Sequence, residues 1–347
     1  MNSFANRLIC WQKAYGRHDL PWQGESAYRI WLSEIMLQQT QVTTVIPYYL
    51  RFIKSFPDVV TLAAATEEQV LAHWSGLGYY ARGRNLHKAA QLIAEKHDGE
   101  FPTDLEQILA LPGIGRSTAA AIAALARHER YAILDGNVKR VLARYCGIDG
   151  WPGERRTEAK LWEVAEDLLP ERDVAVYTQA LMDMGATVCT RSRPRCANCP
   201  VQADCVALST GRVEQLPALR PRKLIPERTA SFLLLKHGHE IMLEKRPPSG
   251  IWGGLWCAPQ LDETEETRYL LRNDMEISRR VELEAFTHTF THFKLHIRPV
   301  LLELAHKPIR AQQQGCIWLD VDEALGAAIP SPVRQLLLTL QASSRVS

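Results

Sequence analysis

A mostly helical N-terminal region followed by an α+β C-terminal domain is the fold class the sequence predicts. Three observations predict it. Up to about residue 210, apolar residues recur at helical spacing, punctuated by glycine turns and capping sequences. From Gly211 to Arg228, Pro217, Pro221 and Pro226 interrupt a stretch with little periodicity, which reads as an interdomain linker. Beyond it, Thr229–Lys236, Glu240–Arg246 and Arg298–Leu304 have strand character, with turn residues such as Gly238 between them. Helical pieces near Glu265–Leu271 and Val333–Gln341 complete an α+β pattern. Domains are therefore expected at 1–210 and 229–347, joined by a linker at 211–228. The 347 residues suffice for two domains of ordinary size.

The first helical pattern spans about Phe4 to Tyr15 and is broken at Leu20-Pro21-Trp22. Tyr28 to Thr40 holds no Gly or Pro and predicts a second helix. Glu34 lies on its apolar stripe, with Ile30 and Trp31 one turn before and Leu37 one turn after. Either this acid faces solvent, or burial raises its pKa and keeps a proton on it for transfer. Gln38, Gln39, Thr40 and Gln41 form a polar cluster at the helix end, suited to solvent or to base edges. Thr66-Glu-Glu-Gln69 is a capping box that opens another helix. That helix ends at Trp74-Ser-Gly76-Leu-Gly78-Tyr79-Tyr80, and a further one is expected over roughly Arg84–Lys96. Either tyrosine could pack in the core or wedge between bases.

The stretch Leu111–Arg140 is the most informative. Thr103 with Glu106 reads as a capping-box start for a short helix, which Pro112, Gly113 and Gly115 break. Ser117 and Thr118 then lead into an alanine-rich helix ending near Ala126. A Gly-x-Gly hairpin between helices leaves N–H groups free at the second helix's N-terminus, where an anion is favoured. It is equally a turn that needs glycine for positive φ. The 76/78 spacing echoes 113/115 as a weak internal repeat. Asp135 precedes Gly136-Asn137 and a new helical pattern, so it reads as an N-cap, a role compatible with a carboxylate at the mouth of a cleft.

Helices are next expected over Thr157–Leu168 and Val174–Met184. Cys189, Cys196, Cys199 and Cys205 follow, four of the chain's eight cysteines within seventeen residues. Metal or cluster ligation is the leading reading of such spacing, and four thiolates suit either zinc or a [4Fe–4S] cluster. Cys10, Cys146, Cys257 and Cys316 are scattered and read as ordinary buried thiols.

Net charge is only +2, with 23% charged and 46% hydrophobic residues. Between Cys189 and Arg228, however, eight Lys/Arg face three acids, a local surplus that could follow a phosphate backbone. No apolar run approaches a membrane span, and the N-terminus lacks an apolar signal core. A cytoplasmic, nucleoid-associated location without a membrane partner is expected, and a monomer.

Leu111-Pro-Gly-Ile-Gly-Arg-Ser-Thr118 together with Leu134-Asp-Gly-Asn-Val-Lys-Arg140 resembles the helix-hairpin-helix, Gly/Pro-rich loop and aspartate of DNA glycosylases. Trp31–Thr40, the cysteines and Thr287-His-Thr-Phe-Thr-His292 narrow the resemblance to adenine DNA glycosylases of the MutY type, over nearly the whole chain. The resemblance implies two helical subdomains with a [4Fe–4S] loop held by Cys189, Cys196, Cys199 and Cys205. Arg246-Pro-Pro-Ser-Gly-Ile-Trp-Gly-Gly-Leu-Trp256 implies a Nudix-like C-terminal domain, although the acidic Arg-Glu-x-x-Glu-Glu core of a Nudix hydrolase is missing. Pyrophosphate hydrolysis is therefore not expected.

The same resemblance makes Glu34 the acid that protonates adenine and Asp135 the anion that stabilises the sugar cation. It assigns Leu37, Gln38, Gln39, Tyr79, Gly113, Gly115 and Ser117 to DNA contact. Phe290, Thr291 and His292 would recognise 8-oxoguanine, with Thr291 where the family has serine. The implied partner is double-stranded DNA holding adenine opposite 8-oxoguanine or guanine. Ser117 occupies the position where strand-cutting relatives carry a lysine, so a monofunctional enzyme leaving an abasic site is expected. The alternatives are an endonuclease III-like glycosylase/lyase for oxidised pyrimidines and a non-catalytic DNA-binding iron–sulfur protein.

Overall fold

The computed structural model describes residues 3–221, 225–261, 263–307 and 315–344. Arg222 and Lys223 of the basic stretch fall outside them. By contact the chain divides into two units, one of residues 1–64 and 85–222 and one of residues 65–84 and 223–347.

Helices α1 (Phe4–Tyr15), α2 (Ala27–Leu37), α3 (Val42–Ser55), α4 (Val59–Ala64), α5 (Glu67–Trp74), α6 (Ala81–Lys96), α7 (Leu105–Leu109), α8 (Arg116–Arg127), α9 (Gly136–Cys146), α10 (Arg155–Asp167), α11 (Val174–Thr187) and α12 (Val206–Ser209) follow one another. In the first unit α8 is the hub. Ala119 to Ala124 are all buried, so the helix is covered on every side. Alanines let α2 and α11 approach it closely, and both pack there. A core of Leu8, Ala120, Leu142, Leu161, Leu181 and Met184 joins α1, α8, α9, α10 and α11.

Caps set most of the boundaries. Ser3 caps α1, and Thr66 with Gln69 forms the expected capping box on α5. The short helix α7 departs from expectation: its cap is Asp104, whose carboxylate accepts from the Gln107 N–H at 3.0 Å, not Thr103. Both residues are competent caps, and a carboxylate adds charge at the positive end of the helix. α2 stops at Leu37, three residues before the expected end, because Gln39 turns left-handed at φ 59°. α6 starts at Ala81 rather than Arg84. Both glycine pairs, 76/78 and 113/115, lie in turns between helices, α5–α6 and α7–α8, but the turns differ in backbone. Gly76 and Gly78 both have positive φ, whereas of the second pair only Gly113 does, at 82°. Gly115 is the extended N-cap of α8 at φ −99°.

Part of the proline-bearing stretch lies on the first unit. The buried Leu216 offers its carbonyl to Arg144 Nε at 2.8 Å, and Arg212 pairs with Asp149 at 2.9 Å.

The second unit is built on a mixed eight-stranded sheet. Its strands are β1 (Glu227–His237), β2 (Glu240–Lys245), β3 (Trp256–Cys257), β4 (Gln260–Leu261), β5 (Ile277–Glu282), β6 (Phe286–Thr289), β7 (Lys294–Leu304) and β8 (Cys316–Asp320). The main order is β3-β2-β1-β7-β5; β4 pairs with β1, β6 with β7, and β8 with β2. β1 and β7 run parallel, with Leu235 opposite Leu302, and the other pairs are antiparallel. A two-residue hairpin with Gly238 at φ 60° joins β1 to β2, matching the twist of the strands. Leu233, Leu235, Met242, Leu270, Val300 and Leu302 form a core that includes α13 (Glu263–Arg272). Helices α14 (Val321–Gly326) and α15 (Ser331–Ser344) end the unit. α5 and the turn after it also belong here.

Candidate active site

The hairpin between α7 and α8 ends in a helix N-terminus whose cap, Gly115, offers no side chain to its N–H groups. Those donors stay available to an outside acceptor, and the helix dipole favours an anionic one. Behind them Ser117 Oγ accepts from the Leu134 N–H at 2.9 Å. That bond fixes the segment leading to Asp135 against the start of α8. Asp135 caps α9, with Oδ1 accepting from the Val138 N–H at 2.7 Å.

Glu34 and Asp135 line one cleft of about 670 Å³ in the first unit. Leu37, Gln38, Thr40, Gln41, Ser117 and Asn137 are among the other lining residues. Glu34 projects from an α2 whose Ile30, Trp31, Ser33, Ile35 and Met36 are all buried. Glu34 itself is half-buried and lines the cleft. Burial, and then the negative charge of Asp135, push its pKa from 4.5 up to about 8. Burial also raises Asp135 from its ordinary value. The N–H groups of Val138 and Asn137, and then Arg140 and Lys139, work against that rise. Among the described residues no such donors oppose the rise at Glu34, so of this coupled pair Glu34 is the one favoured to keep the proton.

The lining residue Arg17, and Asp183 and Arg140 outside the lining, are not among the site residues the sequence predicts. Arg17 lines the cleft with its guanidinium immobilised on Asp183: Nε is 2.9 Å and Nη2 2.6 Å from Oδ1. Asp183 is fully buried on α11 and also accepts from the Arg17 backbone, Gln12 and Gln179. The signal available was an acid between Met182 and Met184 on an apolar helix, the same kind of anomaly as Glu34. Arg140 donates to Asn137 Oδ1 at 2.8 Å, the Gly185 carbonyl at 2.7 Å and the Cys189 carbonyl at 2.8 Å. It thereby ties α9 to α11 and to the first clustered cysteine. Gly185 allows the approach, since a Cβ there would sit 2.5 Å from Asn137 Cβ.

Cys189, Cys196, Cys199 and Cys205 line one small cavity with Arg144, whose Nη1 is 3.4 Å from Cys189 Sγ. Among the described residues, no three His, Cys, Asp or Glu side chains close on a single metal ion. Four thiols around one cavity could hold a metal ion or a polynuclear group. Of the other four cysteines, three depart from the expected burial. Cys257 is buried, but Cys10 is exposed and Cys146 and Cys316 are half-buried, because α1, α9 and β8 each turn one face toward solvent.

Gln39 is exposed in its left-handed turn and is not among the cleft-lining residues; nor are Gly113 and Gly115. Tyr79 and Phe290–His292 belong to the second unit. Tyr79 is 46% exposed at φ 48°. The Phe290 N–H bonds the Phe293 carbonyl at 2.9 Å, making a tight turn between β6 and β7. Phe290 stacks on Phe293 at 4.3 Å and lies 5.4 Å from Trp252, while Thr291 and His292 are exposed at the tip. An aromatic base thus carries two polar groups outward.

Residues 32–167 match the model of the HhH-GPD superfamily of base excision DNA repair proteins, and residues 230–339 that of the NUDIX domain. The chain is 38% identical to the adenine DNA glycosylase of Buchnera aphidicola from Acyrthosiphon pisum, over 96% of each chain. It is 32% identical to that of Mus musculus, covering 97% of this chain and 77% of the relative. A thermostable thymine-DNA glycosylase of known structure superposes with a TM-score of 0.55 at 27% identity, covering 60% of this chain and 95% of that one.

Proposed function

Because the chain belongs to the adenine DNA glycosylase family, we propose that it removes adenine paired with 8-oxoguanine or guanine and leaves an abasic site. It is a base-excision-repair glycosylase that hydrolyses an N-glycosidic bond. The observation that carries the finer reading is Glu34 lining the same cleft as Asp135, with its pKa raised by burial and by that neighbour.

Adenine leaves deoxyribose poorly unless protonated. Glu34 gives its proton to adenine N7 as the bond lengthens, and its carboxylate then helps activate water. Positive charge grows on the sugar as an oxocarbenium ion. Asp135, ionised and held by the α9 N–H groups, stabilises that charge. The adenine must first leave the duplex stack, at a cost of a few kcal/mol. Leu37, Gln38 and Gln39 contact the opened site. Gly113, Gly115 and Ser117 present the α8 N-terminus to a backbone phosphate. Ser117 stands where a lyase has lysine, and Lys139 is engaged 2.6 Å from Glu158, which supports a monofunctional reaction.

Cys189, Cys196, Cys199 and Cys205 would hold one [4Fe–4S] cluster, which supplies a rigid anchor for the Arg191, Arg193 and Arg195 loop rather than acid–base chemistry. Residues 1–210 act as the catalytic domain and 229–347 as the domain that reads 8-oxoguanine through Phe290, Thr291 and His292. Adenine is a normal base, so selectivity has to come from the opposite strand. Duplex DNA is the partner, bound by a monomer in the cytoplasm. Among the described residues, no helix is long and apolar enough to cross a membrane.

The test is an end-labelled duplex with adenine opposite 8-oxoguanine. Strand cleavage only after alkali is the expected outcome; cleavage without alkali overturns the monofunctional reading, and none at all overturns the substrate.

A further inference from the structure

The turn that carries Tyr79 packs into the C-terminal unit, and its fastenings are specific. Residues 65–84 and 223–347 form one contact unit. At its centre is the carbonyl of the fully buried Ile329. It accepts from Ser75 Oγ at 2.7 Å and from the Tyr80 hydroxyl at 3.2 Å. These two donors bracket Tyr79, and both residues are buried. Arg334 on α15 donates to Ser75 Oγ at 3.0 Å and to the Leu325 carbonyl at 2.8 Å. Arg84, just beyond the turn, donates to the Gly253 carbonyl at 2.7 Å. On α5, Glu68 accepts from Lys245 at 2.8 Å and from Trp256 Nε1.

Within the turn, Trp74 Nε1 and Arg82 Nη2 both donate to the Gly78 carbonyl at 3.2 Å. The Arg82 guanidinium lies 5.5 Å from the Tyr79 ring centre. Tyr79 itself holds a positive φ that a non-glycine residue seldom adopts, so the surrounding bonds must maintain it. Its ring is left exposed while everything behind it is pinned.

We propose that Ser75, Tyr80 and Arg334 are positioning residues that fix Tyr79 to the C-terminal domain, so that insertion of Tyr79 beside the opposite base and reading of that base occur as one event. This rests on the proposed function, in which Tyr79 wedges into the duplex and the C-terminal domain reads 8-oxoguanine. Opposite guanine, reading of the base contributes less, so the pinned wedge matters less there. A turn that merely stabilises the fold would affect both duplexes alike.

The test compares the full-length protein with a Ser75→Ala, Tyr80→Phe double variant and with Arg334→Lys. Single-turnover excision of adenine is measured on duplexes with 8-oxoguanine or guanine opposite. A 2-aminopurine beside the opposite base reports wedge insertion by its fluorescence. The double variant is expected to slow about tenfold opposite 8-oxoguanine, as for a lost pair of buried hydrogen bonds, with less than about twofold change opposite guanine and a weaker 2-aminopurine signal. Arg334→Lys shifts the same ratio in the same direction, and decides the matter should the double variant fold poorly. Equal slowing on both duplexes, or none on either, overturns the proposal. A wild-type protein with no preference between the duplexes overturns the underlying functional reading as well, which separates the two failures.

Discussion

At Glu34 a single carboxyl group is expected to set both rate and stability. Its pKa near 8 means that most molecules carry the proton at neutral pH. Single-turnover excision should therefore fall about tenfold per pH unit once pH passes that value, as the acid is lost. Glu34→Gln keeps the shape of the side chain but cannot deliver the proton; excision should drop by at least about 10²-fold with duplex affinity retained. Stability also falls with rising pH, but over a lower window. The folded-state pKa lies above the ordinary 4.5, so between pH 4.5 and about 8 the folded chain holds a proton that the unfolded chain has shed. Folding stability should thus decline as pH rises through that window and level off above it. Glu34→Gln should reduce this slope and raise Tm at neutral pH, measured by calorimetry across the same range. A variant as pH-sensitive as the parent would show that another group controls the slope.

Elements show why the neighbouring carboxylate has two tasks. Asp135 both caps α9 and faces the cleft. Asparagine caps about as well as aspartate, so Asp135→Asn should cost less than about 0.5 kcal/mol in urea unfolding. Without the negative charge, however, excision should fall about 10²-fold. The hairpin behaves differently. Gly113 holds φ 82°, and a Cβ there would lie 2.9 Å from Asn85 Cβ. Gly113→Ala should cost about 1–3 kcal/mol and weaken duplex affinity, because the hairpin can no longer present the α8 N-terminus. In the cysteine loop, Cys199→Ser should lower bound iron below the roughly four atoms expected per chain for a [4Fe–4S] site, measured by metal analysis. Unchanged iron and unchanged DNA affinity would exclude Cys199 as a ligand.

For the whole molecule, the contact units cut across the linear order of the chain. Residues 65–84 lie within the helical half of the sequence but pack with 223–347. A chain ending at residue 221 would therefore expose the apolar and hydrogen-bonded faces of Trp74, Ser75 and Tyr80. It is expected to lose thermal stability and most preference for 8-oxoguanine over guanine, read by differential scanning fluorimetry and by paired excision assays. Retention of full preference would place opposite-base reading elsewhere. The +2 net charge predicts that affinity for undamaged duplex is modest and falls with added salt, as phosphate contacts from a few local cations dictate.

Periodicity, caps and glycine turns were enough to reveal the helices, the start of α5, the strands around Gly238 and the two-part architecture. These depend on neighbours a few residues apart, and a linear string records such relations directly. Local anomalies, an acid on an apolar stripe and four close thiols, are also what single out Glu34, Asp135 and the four cysteines as candidates, while their proposed roles come from resemblance. The cleft depended on long-range packing. Arg17 meets Asp183 across 166 residues, and Ser75 meets Ile329 across 254. No sequence period encodes such pairings; they exist only once helices and sheet have packed. The raised pKa of Glu34 likewise has no sequence signature, because it arises from the water that folding excludes and from the charge that folding brings near.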